Sequence, residues 1–107
     1  MTANSELTRL SEQLGLRPSE LAKLAGLVPS SLSSKSKARK LDATLTLIAR
    51  ILATATELAG DESRAAIWFK RQPIAGWSGK TAYDLVGEGK GDDVLAYLEA
   101  VRAGVHA

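Results

Sequence analysis

Apolar residues recur along this chain at three- and four-residue steps, the spacing that lines them up on one face of a helix. Leu7, Leu10 and Leu14 form the first stripe, and Gly15 stands where such a helix would close. Pro18-Ser19-Glu20 opens a second helix, with Leu21, Leu24 and Ala25 facing inward and Gly26 at its end. A third, short helix starts near Pro29, because proline suits a first helical turn; its serines are poor helix formers, so packing must hold it. The longest stripe, Leu41, Leu45, Ile48, Leu52, Ala55 and Ala59, predicts a helix over 41–59 closed by Gly60-Asp61. Asp61 then caps a fifth helix from Glu62 to Lys70, which carries Trp68 and Phe69. Pro73, Gly76 and Gly79 make a connector, a short helix follows over Thr81 to Val86, and Gly87, Gly89 and Gly91 read as a loose, flexible turn. The last helix runs from Asp92 to Ala103 with Val94, Leu98 and Val101 as its stripe and Val105 in line beyond Gly104. No stretch alternates apolar and polar residues as a strand does. The expected fold class is all-α, divided near Gly60 into regions 1–60 and 61–107.

Charge changes this picture by marking two unlike halves. The formal net charge is +2, yet residues 1–50 hold eight Lys/Arg against four Asp/Glu, whereas residues 51–107 hold six against eight. A basic first half and a mildly acidic second half point to two surfaces for two kinds of partner. The basic half carries Ala22, Gly26 and Leu32 at the spacing of a helix-turn-helix. There a small residue admits the second helix, a glycine turns the corner and an apolar residue anchors the second helix. The second helix, near Pro29 to Lys37, offers Ser30, Ser31, Ser33, Ser34 and Lys35, and Lys37, Arg39 and Lys40 come at its end or just beyond. Hydroxyls and cations of this kind contact phosphates, so these eight residues are the candidate DNA contacts. A tight helical corner with a solvated basic face fits the same residues. The helix lacks the Arg, Asn or Gln that reads bases in bidentate fashion, so any sequence preference from one copy is weak.

Catalytic and cofactor chemistry find little to work with. There is no cysteine, and the single histidine, His106, is penultimate, so neither a Cys/His metal site nor a Ser–His or Cys–His pair is available. Gly76-Trp77-Ser78-Gly79-Lys80-Thr81 imitates a phosphate-binding loop, but that loop needs glycine at position 74, where Ile74 stands, and a preceding strand. No enzyme activity and no cofactor are expected. The N-terminal residues are polar and the 41–59 stripe is interrupted by threonines and Arg50, so neither a signal peptide nor a membrane span is expected, and the expected address is the cytoplasm.

What remains is an ordered succession. Trp68-Phe69 ends one helix, and Pro73-Ile74-Ala75-Gly76-Trp77 makes a turn. Lys80-Thr81-Ala82-Tyr83-Asp84-Leu85-Val86 forms a short helix, and Gly91, Val94, Leu98 and Gly104 complete the series. In this order it resembles the antitoxins of the Xre/MbcA/ParS type, closely over roughly residues 60–107 and loosely over the whole chain. It departs from them at Ala82, where a proline usually stands, and at Ile74, where an asparagine usually follows the first proline.

The resemblance implies an N-terminal helix-turn-helix bundle joined by a long helix to a small helical toxin-binding domain. It implies as partner a RES-domain toxin that consumes NAD⁺, held as a hetero-oligomer or by a homodimer, with promoter DNA as a second partner. It also implies that the C-terminal segment, Val101 to Ala107, enters the toxin cleft, with Gly104 freeing Val105, His106 and Ala107. A frayed terminus fits those last residues equally. Trp77, flanked by glycines, together with Lys80 makes a candidate anchor on the connector, while Trp68, Leu85 and Leu98 read as core. The competing reading is a stand-alone helix-turn-helix regulator whose second half serves dimerisation.

Overall fold

A computed structural model describes residues 2–24 and 35–104 of the 107. The described residues form six helices: α1 (Thr2–Leu14), α2 (Pro18–Leu24), α3 (Lys35–Ala59), α4 (Glu62–Arg71), α5 (Ala82–Gly87) and α6 (Gly91–Arg102). The all-α expectation holds. The short helix expected from Pro29 lies mostly outside the described residues, and so do Gly26 and Leu32 of the helix-turn-helix spacing.

The helix ends follow from local chemistry. Gly15, at φ +69°, closes α1, and the Leu16 N–H returns to the Ser11 carbonyl. Pro18 starts α2, with the Glu20 carboxylate accepting from the Arg17 N–H. Gly60, at φ +83°, donates to the Thr56 carbonyl and ends α3. Asp61 immediately caps α4 by accepting from the N–H groups of Ser63 and Arg64. That pair of residues turns the chain by 116° between α3 and α4.

Two expectations change here. The long helix begins at Lys35, not Leu41. Its added turn and a half, Lys-Ser-Lys-Ala-Arg-Lys, contains mostly good helix formers but no apolar stripe, so hydrophobic spacing alone does not register it. The glycine-rich turn after α5 is also no loose hinge. The Lys90 N–H bonds the Leu85 carbonyl at 2.8 Å and the Gly89 N–H bonds the Val86 carbonyl, with Gly89 at φ +81°: a closed Schellman turn. Gly91 then starts α6 so close to α3 that an added Cβ would sit 2.6 Å from Leu47 Cδ2.

Helix α3 is the axis of the molecule. Leu41, Leu45, Ile48, Leu52 and Ala55 are buried as expected, and Ile51 and Thr54 widen the buried arc. The arc is wide because α3 is covered from several sides, by α1, α4 and α6. Thr54 satisfies its hydroxyl by donating to the Arg50 carbonyl. Leu10, Leu14, Leu21 and Leu24 from the first two helices join Phe69, Leu85, Val94 and Leu98 from the last three in one hydrophobic cluster. The core therefore runs across Gly60 without a seam. Among the described residues no single helix is long and apolar enough to cross a membrane.

Candidate functional site: a helical platform with an apolar groove

Adjacent residues on α4 divide the labour of packing. Phe69 is wholly buried beside Ala65 and Ala66, and its ring meets Tyr83 edge-on at 6.4 Å between centroids. Trp68, about 100° further round the helix, is half-buried and packs against the core with one side only. The core expectation holds for Leu85 and Leu98, whereas Trp68 is only half-buried and packs against that core from its edge.

The connector after α4 is tightly organised. Pro73 pairs with Thr81 as an isolated bridge, and the Ile74 N–H bonds the Lys80 carbonyl at 2.8 Å. Inside it run two successive turns. The Trp77 N–H returns to Ile74 with Gly76 at φ +87°, and the Lys80 N–H returns to Trp77 across Ser78 and Gly79. Positive φ at both Ser78 and Gly79 is the mark of a type I′ turn. Thr81 caps α5 in a reciprocal box with Asp84. This geometry removes the phosphate-loop imitation: Lys80 points to Glu88 at 2.9 Å, and Ile74 is buried.

Trp77 is half-buried, and its ring lies under Lys90 Nζ at 5.6 Å from the centroid. Lys80 and Lys90 both reach Glu88. The connector candidates Trp77 and Lys80 thus sit together at the N-terminal end of α6. Val101, half-buried, and Gly104, exposed at φ +78°, mark the other end, about 15 Å along the axis. The candidates therefore form two separate groups. Val105, His106 and Ala107 lie outside the described residues.

Near Val101 the helices leave a groove of about 230 Å³, lined by Ala55, Leu58 and Ala59 of α3, Trp68 of α4, and Tyr97, Leu98 and Val101 of α6. Three large hydrophobic side chains stand exposed among the described residues: Leu58, Ile67 and Tyr97. Two of them line this groove. Sequence reading missed it because its walls come from three helices, and Tyr97 falls just outside the buried stripe of α6.

A larger open cleft, about 720 Å³, lies between α1 and α3 and is lined by residues such as Glu6, Arg9, Asp42, Thr46 and Arg50. Of the candidate DNA contacts, Ser30, Ser31, Ser33 and Ser34 lie outside the described residues. Lys35, Lys37, Arg39 and Lys40 fall on the opening turns of α3, not on and beyond a separate short helix, and Arg39 is exposed.

Residues 54–104 match the family described as the antitoxin Xre/MbcA/ParS C-terminal toxin-binding domain. This segment is a toxin-binding domain of the Xre/MbcA/ParS antitoxin type. The match takes in the end of α3 and all of α4, α5 and α6, so every residue lining the 230 Å³ groove falls within the toxin-binding domain. The residues lining the larger cleft between α1 and α3 all precede it. No curated protein and no solved structure gave a match.

Proposed function

We propose that this antitoxin neutralises a cognate RES-domain, NAD⁺-consuming toxin by binding it and covering its active-site cleft with the segment Val101 to Ala107. The observation that carries the reading is the toxin-binding domain over 54–104, whose last helix ends just before Gly104. A short segment carrying an apolar residue suits a concave ligand cleft, whose lining is mostly apolar. The protein acts without catalysis of its own, in the cytoplasm, as a homodimer or in a hetero-oligomer with the toxin. Residues 61–107 serve toxin binding, and residues 1–60 bind promoter DNA and repress the operon through the basic start of α3 and the serines before it.

The test is to co-express the chain with the product of the adjoining gene and measure NAD⁺ loss. The intact chain abolishes the loss, and a chain ending at Ala103 restores much of it. An intact chain that neither binds nor inhibits that product overturns the reading. Full inhibition by the shortened chain overturns the tail mechanism alone. For the DNA role, replacing Lys35, Lys37, Arg39 and Lys40 with alanine weakens promoter binding and flattens its salt dependence; unchanged affinity overturns that role.

A further inference from the structure

We infer that the groove between α3, α4 and α6 receives an apolar side chain carried on an acidic segment of the toxin, making a second contact separate from the C-terminal tail. The inference rests on the antitoxin reading and names the chemistry of the partner at a particular site.

Three observations converge. First, the exposed large hydrophobic side chains of the described residues all belong to the toxin-binding domain, and Leu58 and Tyr97 flank the groove while Trp68 forms its wall. Apolar side chains left uncovered in one place, rather than scattered, mark a surface that another molecule covers. Second, the groove holds about 230 Å³, below the usual range for small-molecule pockets, so it suits one anchoring side chain better than a cofactor. Third, the α4 edge of the patch is cationic. Arg64, Ile67, Trp68 and Arg71 fall at three- and four-residue steps on one side of α4. Both arginines are exposed, and neither forms an ion pair among the described residues, whereas Arg102 across the groove is already held by Glu57 at 3.1 Å. The dipole of α4 accounts for Arg71 in its last turn. It does not account for Arg64 in its first turn, where a cation is disfavoured. A partner segment with carboxylates facing α4 supplies the missing countercharge.

The experiment measures affinity of the full chain for the product of the adjoining gene, at low and at moderate salt. Leu58→Asp and Tyr97→Arg alter exposed positions that line the groove and leave the core intact, as circular dichroism checks. Each is expected to weaken binding by about tenfold or more. Arg64→Glu with Arg71→Glu is expected to weaken it by about tenfold at low salt and to reduce its salt sensitivity. Thr46→Asp, in the cleft outside the toxin-binding domain, serves as the comparison and binds as the parent does. Parent-like binding by Leu58→Asp and Tyr97→Arg overturns the groove while leaving the antitoxin reading in place. Binding indifferent to the arginine reversals overturns the acidic partner. If the unaltered chain forms no complex, both readings fall. Light scattering of the chain alone closes the remaining alternative: a dimer lost on Leu58→Asp would assign the groove to self-association and overturn the proposal.

Discussion

Asp61 shows how much one side chain decides. Its carboxylate accepts from the Ser63 N–H at 2.6 Å and the Arg64 N–H at 3.3 Å, satisfying donors that the first turn of α4 would otherwise leave open. Gly60 before it adopts φ +83°, so two adjacent residues turn the chain and start the next helix. Asp61→Ala should lower the unfolding free energy by about 1 kcal/mol, read from chemical denaturation. Asp61→Asn, which keeps an accepting oxygen, should recover most of the loss. Equal losses for the two variants would mean that the carboxylate matters for its charge and not as a cap. At Gly91 the constraint is space, since the start of α6 meets Leu47 where a Cβ would stand. In the sequence both glycines read only as breaks; which one needs a positive φ and which one needs room depends on the neighbour across the fold.

At the scale of elements, the apolar stripes of α1, α3 and α6 are legible in the sequence because each belongs to a continuous buried face. Leu10 and Leu14, Leu45 and Ile48, Val94 and Leu98 are all buried. The polar start of α3 is not legible by the same signal, because helix formers without an apolar face leave no periodicity. Nor is the closed turn after α5, since glycines announce permitted angles but not which carbonyls the N–H groups will find. The groove of Leu58, Trp68 and Tyr97 depends on the 116° bend between α3 and α4, which Gly60-Asp61 announces as a break without fixing its angle. Packing between α4 and α5 makes a pH-dependent prediction. The Tyr83 phenol, edge-on to Phe69, titrates above its ordinary value, chiefly through burial and further through the negative charges of Glu20 and Asp84. A raised pKa favours the neutral phenol in the folded state. Its contribution is therefore fully present below the ordinary value near 10 and is lost as pH rises through the raised one. Thermal midpoints of the parent and of Tyr83→Phe should differ by a constant amount up to about pH 9, then shift in favour of the variant at higher pH. Parallel curves throughout would show that the phenol titrates alike in both states.

At the scale of the whole molecule, the toxin-binding domain and the region before it are bound into one packing unit. The family match begins inside α3, at residue 54, so the domain as matched leaves out most of the helix against which it packs. Leu45, Ile48, Ile51 and Leu52 precede the match and are almost completely buried in the cluster that also holds Phe69, Leu85, Val94 and Leu98. The first two helices add to the same cluster: α1 packs on α3 and α4, and α2 packs on α5, where Leu24 lies against Gly87. A fragment of residues 61–107 would expose the apolar faces of α4 and α6, and so short a chain has little other core to draw on. It should show no cooperative thermal transition by circular dichroism. A fragment beginning at Lys35 keeps the α3 face. It should melt cooperatively but below the intact chain, having lost the burial of Leu10, Leu14, Leu21 and Leu24. Cooperative melting of residues 61–107 alone would mean that the toxin-binding domain does not need α3. Failure of both fragments would mean that α1 and α2 are as necessary as α3. The expected middle result has a functional consequence: because one helix carries both the basic start and a wall of the groove, toxin binding at one end should change the stability of the other, and the Lys35 fragment should still bind the toxin.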